Sequence, residues 1–305
     1  SSSKICHSAH LTRDGRWGKA LFDHLGNPVF SPDGKRIAYR AKQRERWFVM
    51  VDNQRGPEFD RVSSPVFSPD SQHLAYWARQ DKKEFIVLDD RPGPAFDGAG
   101  FPIFGPHASK VAYRAREGKQ WFVMRGDEKG PAFDDIGYYT VPDSGRGSDI
   151  ADVVFSPDGR QLAYAARRGQ EWFIVRDGQP GPAFEYVGLP VFGPDGRLAY
   201  RARRNDREFI LLGDRKGPEF DFVGNPVFSP DGRDIAYWTR HGKTEFIMQG
   251  ERKGPVFESP DRVGAPVFNR DGSQVIYWAK RGEKEFILSG EKKGPEFDAI
   301  ETPAF

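Results

Sequence analysis

The side chains that could do chemistry in this chain are few and scattered. Cys6, His7 and His10 make its only local cluster of metal-capable groups, a CHxxH run near the start. A tetrahedral site needs a second pair of ligands, and none accompanies this one, so no metal is expected. The acid pairs Asp89-Asp90 and Asp134-Asp135 read as solvated turns rather than catalytic dyads. The several Asp-Gly turns lack the spaced carboxylates of a calcium loop. No nucleophile elbow, HExxH run or phosphate-cradling glycine loop is present, so no catalytic residue and no cofactor is expected. The candidates that remain are Tyr138, Tyr139, Asp143, Arg146 and Asp149, and they matter because of where they stand.

Their setting is a repeat. The string PVFSPDGKRIAYRAKQRERWFVMVDNQRGPEFD covers Pro28 to Asp60, and related strings begin at Pro65, Pro102, Val153, Pro190, Pro226 and Pro266. The period is near 37 residues, broken by one clear insertion, Gly137 to Ile150, which carries the five candidates. Each repeat reads as four short strands. Strand a is Pro-Val-Phe, followed by a Ser-Pro-Asp-Gly turn with Pro and Gly in turn-favoured places. Strand b is Ile-Ala-Tyr, as in Ile235 to Thr239. Strand c is Glu-Phe-Ile-Met, as in Glu245 to Met248. Strand d follows Gly-Pro and ends in Phe-Asp or Phe-Glu. No segment has a helical period with caps.

A two-residue b–c turn at His241-Gly242 sets a register: Arg240 opposite Lys243, Thr239 opposite Thr244, Trp238 opposite Glu245. Gly in the second place would supply the positive φ of a type I′ turn. The equivalent facing pairs are Arg40/Trp47, Trp77/Glu84, Arg114/Trp121, Ala165/Trp172, Arg201/Glu208 and Trp278/Glu285. They combine cation–π and polar partners and are read as packing rather than as a site.

Strands apolar on both faces need cover on both faces, and radial stacking supplies it. The expected fold is therefore all-β: a seven-bladed β-propeller of four-stranded antiparallel blades. Residues 1–18 would be an N-terminal extension and 19–305 one propeller domain. Lys19 to Asp23 resembles a further strand d and Pro303 to Phe305 a further strand a, so the termini hold surplus strands for closure, for an edge, or for self-association.

The SPDG turn followed by Ile-Ala-Tyr, clearest at Ser31 to Tyr39, Ser156 to Tyr164 and Ser229 to Tyr237, resembles the Pro-Asp-type, WD-repeat-like propeller repeat of the TolB-like family. The resemblance runs from about Ala20 onward. His107-Ala108 and Asn269-Arg270 depart from it, which weakens any ligand common to all the turns. Similar propellers accompany peptidases, but the catalytic domains of those enzymes have no counterpart here. By resemblance the compartment would be bacterial periplasmic or extracellular.

Composition adds bounds. The chain has 305 residues, net charge +2, 30% charged and 14% aromatic residues, and one Cys, which cannot close an internal disulfide. No apolar run approaches the roughly 18 residues of a membrane helix. The chain begins at Ser1 without Met or an apolar leader, as expected of a processed form or a piece of a longer protein. The b–c tips are basic, but the acids Asp60, Asp97, Asp134, Glu185, Asp221, Glu258 and Asp298 at the strand d ends are expected to pair with them. Exposed aromatics are not interspersed with the bases, so nucleic acid is not the expected partner. The b–c turns and d–a connections are expected on one end of the blades, with the insertion in a d–a loop there. The reading is a non-catalytic scaffold that binds a protein or peptide through these loops, with Tyr138, Tyr139, Asp143, Arg146 and Asp149 in contact. The alternative is small-molecule binding or a hydrolase-type enzyme at the central channel.

Overall fold

A computed structural model describes residues 10–11, 17–18, 22–107, 110–137 and 153–300. The second sheet shows the pattern of the first six; in the seventh, strand d runs through its proline as Lys292–Phe297, with a bulge. Strand b of the second sheet, Leu74–Gln80, and strand c, Lys83–Leu88, form an antiparallel hairpin. Strand a lies along strand b in two pieces, Arg61–Val62 and Val66–Phe67. Strand d, Arg91–Pro92, lies along strand c and rejoins it through a bridge from Phe96 to Glu84. Strand a is therefore longer than Pro-Val-Phe, and strand d begins before Gly-Pro rather than after it. Pro lacks the N–H that a ladder needs, so both edge strands break at proline and resume beyond it.

The same hairpin recurs as Ile37–Gln43 with Arg46–Val51, Val111–Glu117 with Gln120–Arg125, Leu162–Arg168 with Glu171–Arg176, Leu198–Arg204 with Arg207–Leu212, Ile235–His241 with Thr244–Gln249, and Val275–Arg281 with Lys284–Ser289. These seven antiparallel sheets are the blades of a seven-bladed β-propeller. The chain divides into two compact units, 1–153 and 154–305. The first holds the first three hairpins and the second the last four.

Within each unit, neighbouring sheets pack face to face through the same residues. Ala38 and Val49 of the first sheet meet Tyr76, Phe85 and Val87 of the second, with Phe59 between them. The Phe59 ring stands edge-on to Phe85 at 5.4 Å and to Tyr76 at 6.4 Å. Phe96, Phe184 and Phe257 take the Phe59 place in later clusters. Alanines on strand b, such as Ala38, Ala75 and Ala236, are fully buried. A larger side chain there would hold the next sheet off, since cores are packed without slack.

The hairpin register differs from the sequence expectation. His241 faces Thr244, Arg240 faces Glu245 and Trp238 faces Ile247. The turn residues are Gly242 and Lys243, so Gly is first, not second. Gly242 has φ +60°. Lys243 is not among the positive-φ residues, which is the φ pattern of a type II′ turn, where Gly belongs in the first place. Gly118, Gly169 and Gly282 behave alike. The hairpins without Gly use Arg44-Glu45, Asp81-Lys82 and Asn205-Asp206, positive at both residues, and these are the type I′ turns. The slip moves every expected pair by two positions. A strand alternates faces with period two, so residues expected to face each other become diagonal neighbours on the same face. Lys42, not Arg40, faces Trp47, and Arg79, not Trp77, faces Glu84.

Candidate functional site

Tyr138, Tyr139, Asp143, Arg146 and Asp149 lie outside the described residues, as do Cys6 and His7. Their flanks are described, and these move the insertion. In six repeats the two pieces of strand a are joined by three residues ending in proline, such as Gly26-Asn27-Pro28, Gly188-Leu189-Pro190 and Gly224-Asn225-Pro226. In the fourth repeat the matching short strands are Asp135–Ile136 and Val153–Phe155, and residues 137–152 replace the three-residue joint. The insertion thus interrupts strand a and does not sit between strands d and a. At the other described junctions a single residue joins d to a, except after the sixth sheet, where Ser259-Pro260-Asp261 lies between Glu258 and Arg262. Phe59 closes strand d, Asp60 follows, and Arg61 opens strand a of the next sheet.

A second feature marks the fourth repeat. The strand b residue beside the joint is large in six sheets: Arg40, Trp77, Arg114, Arg201, Trp238 and Trp278. In the fourth it is Ala165, fully buried. The large residues press on the joint. A Cβ added to Gly26 would meet Arg40 Cγ at 2.5 Å, and one on Gly188 would meet Arg201 Cγ at 2.5 Å. The repeat that carries the 137–152 insertion is also the one with alanine at this strand b position.

At the hairpin ends, the junction acids Asp60, Asp97 and Asp221 each tie two sheets together. Asp60 Oδ1 takes a hydrogen bond from Arg46 of the first sheet at 2.5 Å, and Asp60 Oδ2 takes one from the turn N–H of Asp81 in the second at 2.9 Å. Asp97 repeats this with Lys83 at 2.6 Å and the Gly118 N–H at 2.7 Å. Asp221 repeats it with Arg207 and the Gly242 N–H. The junctions and the b–c turns therefore do share one end of the sheets. The Lys83 hydrogen bond, then the Gly118 N–H, hold the Asp97 carboxyl below the usual range. For Asp221 the Gly242 N–H acts first. Pairing of bases with junction acids thus holds for Asp60, Asp97, Asp221 and Asp298. In the sixth repeat the acid at the turn is Asp261, which accepts the Gly282 N–H at 2.8 Å, rather than the expected Glu258.

One link had no sequence signal. Where the second residue of strand c is Glu, its carboxylate accepts a backbone N–H from strand a of the following sheet, as Glu84 does from Ala99 at 2.8 Å and buried Glu208 from Val223 at 3.0 Å. Trp77 Nε1 also donates to Glu84, at 3.2 Å. Where strand c carries Trp instead, an Arg lies over the ring, Arg114 over Trp121 at 4.7 Å and Arg40 over Trp47 at 5.4 Å. The expected cation–π and polar pairings thus form diagonally in these blades.

The Ser-Pro-Asp-Gly turns are closed on themselves. Ser31 Oγ donates to Asp33 Oδ1 at 2.6 Å and accepts the Arg36 N–H at 2.9 Å, while the Lys35 N–H donates to Asp33. Ser229 and Asp231 repeat the arrangement. Asn269 replaces Ser in the last repeat, its Oδ1 accepting the Gln274 N–H. The serine hydroxyl is the main cause that holds Asp33, Asp70, Asp158 and Asp231 low. Of the acid pairs, Asp89 and Asp90 form a turn in which Asp89 accepts the Leu74 N–H. Among the described residues no three His, Cys, Asp or Glu side chains are grouped to hold a metal ion. No helix among them is long and apolar enough to cross a membrane.

No protein-family model matches the chain, and no curated protein matches it. Solved structures similar to it include three. One is dihydro-heme d1 dehydrogenase NirN in complex with DHE, at 12% identity and TM-score 0.44, over 90% of this chain and 68% of that one. Another is TolB from Acinetobacter baumannii, at 17% and 0.38, over 84% and 74%. The third is the Dos1 propeller, at 10% and 0.43, over 94% and 82%. The propeller assignment rests on the seven sheets themselves.

Proposed function

We propose that this chain is a non-catalytic scaffold of the TolB-like repeat type, a single propeller domain over 19–305 that binds a protein or peptide at the insertion of its fourth repeat. The observation that carries the reading is the paired departure at that repeat: residues 137–152 in place of a three-residue joint, and Ala165 in place of Arg or Trp on strand b. A joint that merely tolerated extra residues would not need alanine there. Tyr138 and Tyr139 would give apolar contact with a hydrogen-bonding end, and Asp143, Arg146 and Asp149 the polar contacts that fix orientation.

The test replaces residues 137–152 with Gly-Asn-Pro, the joint of the sixth repeat. Its backbone geometry is already used by six sheets, so the variant should keep the parent circular dichroism. A partner recovered from source-cell extract by the parent and lost by the variant supports the reading. Equal recovery by both moves the site off the insertion.

A further inference from the structure

Two grooves in the second unit occupy equivalent places one repeat apart. The first, about 540 Å³, runs between the fifth and sixth sheets over Ile210, Gly217, Pro218 and Tyr237. The second, about 660 Å³, runs between the sixth and seventh over Ile247, Gly254, Pro255 and Tyr277. In each, the Gly-Pro break of strand d forms one wall and the strand b tyrosine lies beside it. The second residue of the c–d turn stands at the mouth: Glu251 in one and Glu291 in the other.

The first unit shows what fits such a groove. Between the first and second sheets the corresponding turn residue is Asp90, and its carboxylate folds inward. Asp90 Oδ1 lies 2.9 Å from where a Cβ on Gly56 would stand. Burial, and then its neighbour Asp89, raise the Asp90 carboxyl above the usual range. The charges of Asp90, Asp127 and Asp214 act on Tyr76, Tyr113 and Tyr200 of their own sheets. No such charge acts on Tyr237 or Tyr277, whose shifts come from burial alone. Glutamate carries its carboxylate one methylene further than aspartate. Glu251 accordingly turns outward, with its side chain 80% exposed, to pair with Arg215. The groove behind it is left open.

We propose that these two grooves bind carboxylate groups of an external ligand, in the place that the protein fills with its own Asp90 between the first two sheets. Six Arg and Lys side chains line the two grooves. Arg197, Lys216, Arg233 and Arg252 pair with Asp195, Glu219, Asp231 and Asp234, and Arg215 pairs with Glu251, the most exposed of these acids. Arg215 presents a planar fork suited to a carboxylate, and its present partner Glu251 is an exposed side chain that an incoming carboxylate can displace. The apolar floor, Ile210 and Ile247, suits the methylenes of an aspartyl, glutamyl or succinyl group.

The experiment follows the Tyr237 and Tyr277 ring resonances of the full-length chain by NMR during titration with succinate, with neutral succinamide, and with a short aspartate-containing peptide and its asparagine counterpart. Glu251→Asp and Glu291→Asp are the variants. Each creates a Gly-Asp turn like Gly126-Asp127 and Gly213-Asp214, so folding is not at risk. Saturable shifts of both tyrosines with the carboxylates and not with the amides are expected. Glu251→Asp should abolish the Tyr237 response and leave that of Tyr277, and Glu291→Asp the reverse. A peptide effective well below the succinate concentration identifies a partner chain, and equal potency a free dicarboxylate; both support the site. Shifts that are absent, that succinamide reproduces, or that survive in the variants overturn it.

Discussion

At the residue scale, the aspartates do most of the joining. Asp97 and Asp221 bind two sheets each, and Asp33, Asp70, Asp158 and Asp231 close the Ser-Pro-Asp turns. All six are held below the usual carboxyl range by donors present only in the folded chain. The unfolded aspartate titrates near pH 3.9. The stability these groups add is therefore complete above that pH and is lost as pH falls through it toward their depressed folded values. Denaturant unfolding across pH 6 to 3 should show the parent weakening steeply in acid. Asp97→Asn, which lacks the charge throughout, should start less stable and converge on the parent in acid. Parallel curves would remove Asp97 from the linkage. The turn chemistry was legible because Ser, Pro, Asp and Gly act on their own neighbours. The Glu84 and Glu208 links were not, because their acceptors wait on an N–H from another sheet.

At the element scale, the hairpin turn decides the register. Glycine in the first turn position is needed only where the second residue leaves the left-handed region, as at Gly242. Gly242→Ala would force a Cβ into φ +60° and should cost about 1 kcal/mol by urea denaturation, while Asn205→Gly should stay near the parent. An unchanged midpoint for Gly242→Ala would contradict the turn assignment. Strand type and face were readable from the period-two pattern. The one-residue slip of the turn was not, since Gly fits the second place of a type I′ turn as well as the first of a type II′.

At the scale of the whole molecule, each of the seven sheets buries one strand b tyrosine. Burial raises Tyr39, Tyr76, Tyr113, Tyr164, Tyr200, Tyr237 and Tyr277, four of them (Tyr113, Tyr200, Tyr237 and Tyr277) to about 12. Unfolded tyrosine ionises near 10. The folded state thus keeps its protons longer, and stability present below pH 10 is lost as pH rises through the folded values. Absorbance at 295 nm should show these phenols titrating late and together with loss of circular dichroism above pH 11. Early, independent titration near 10 would mean that the interfaces admit water.

The sequence by itself determined the repeat, the four strands, the seven blades and the self-closing turns, because each follows from residues within about 40 positions of one another. It also marked the fourth repeat as the irregular one. Only the tertiary structure decided that the insertion interrupts strand a, that junction acids tie one hairpin to the next, and that the place Asp90 fills beside Gly56 is an open groove behind the outward Glu251. Those features depend on which residue of one sheet meets which residue of the next. That meeting is set by a two-residue register and by a single methylene, neither of which a period in the sequence records.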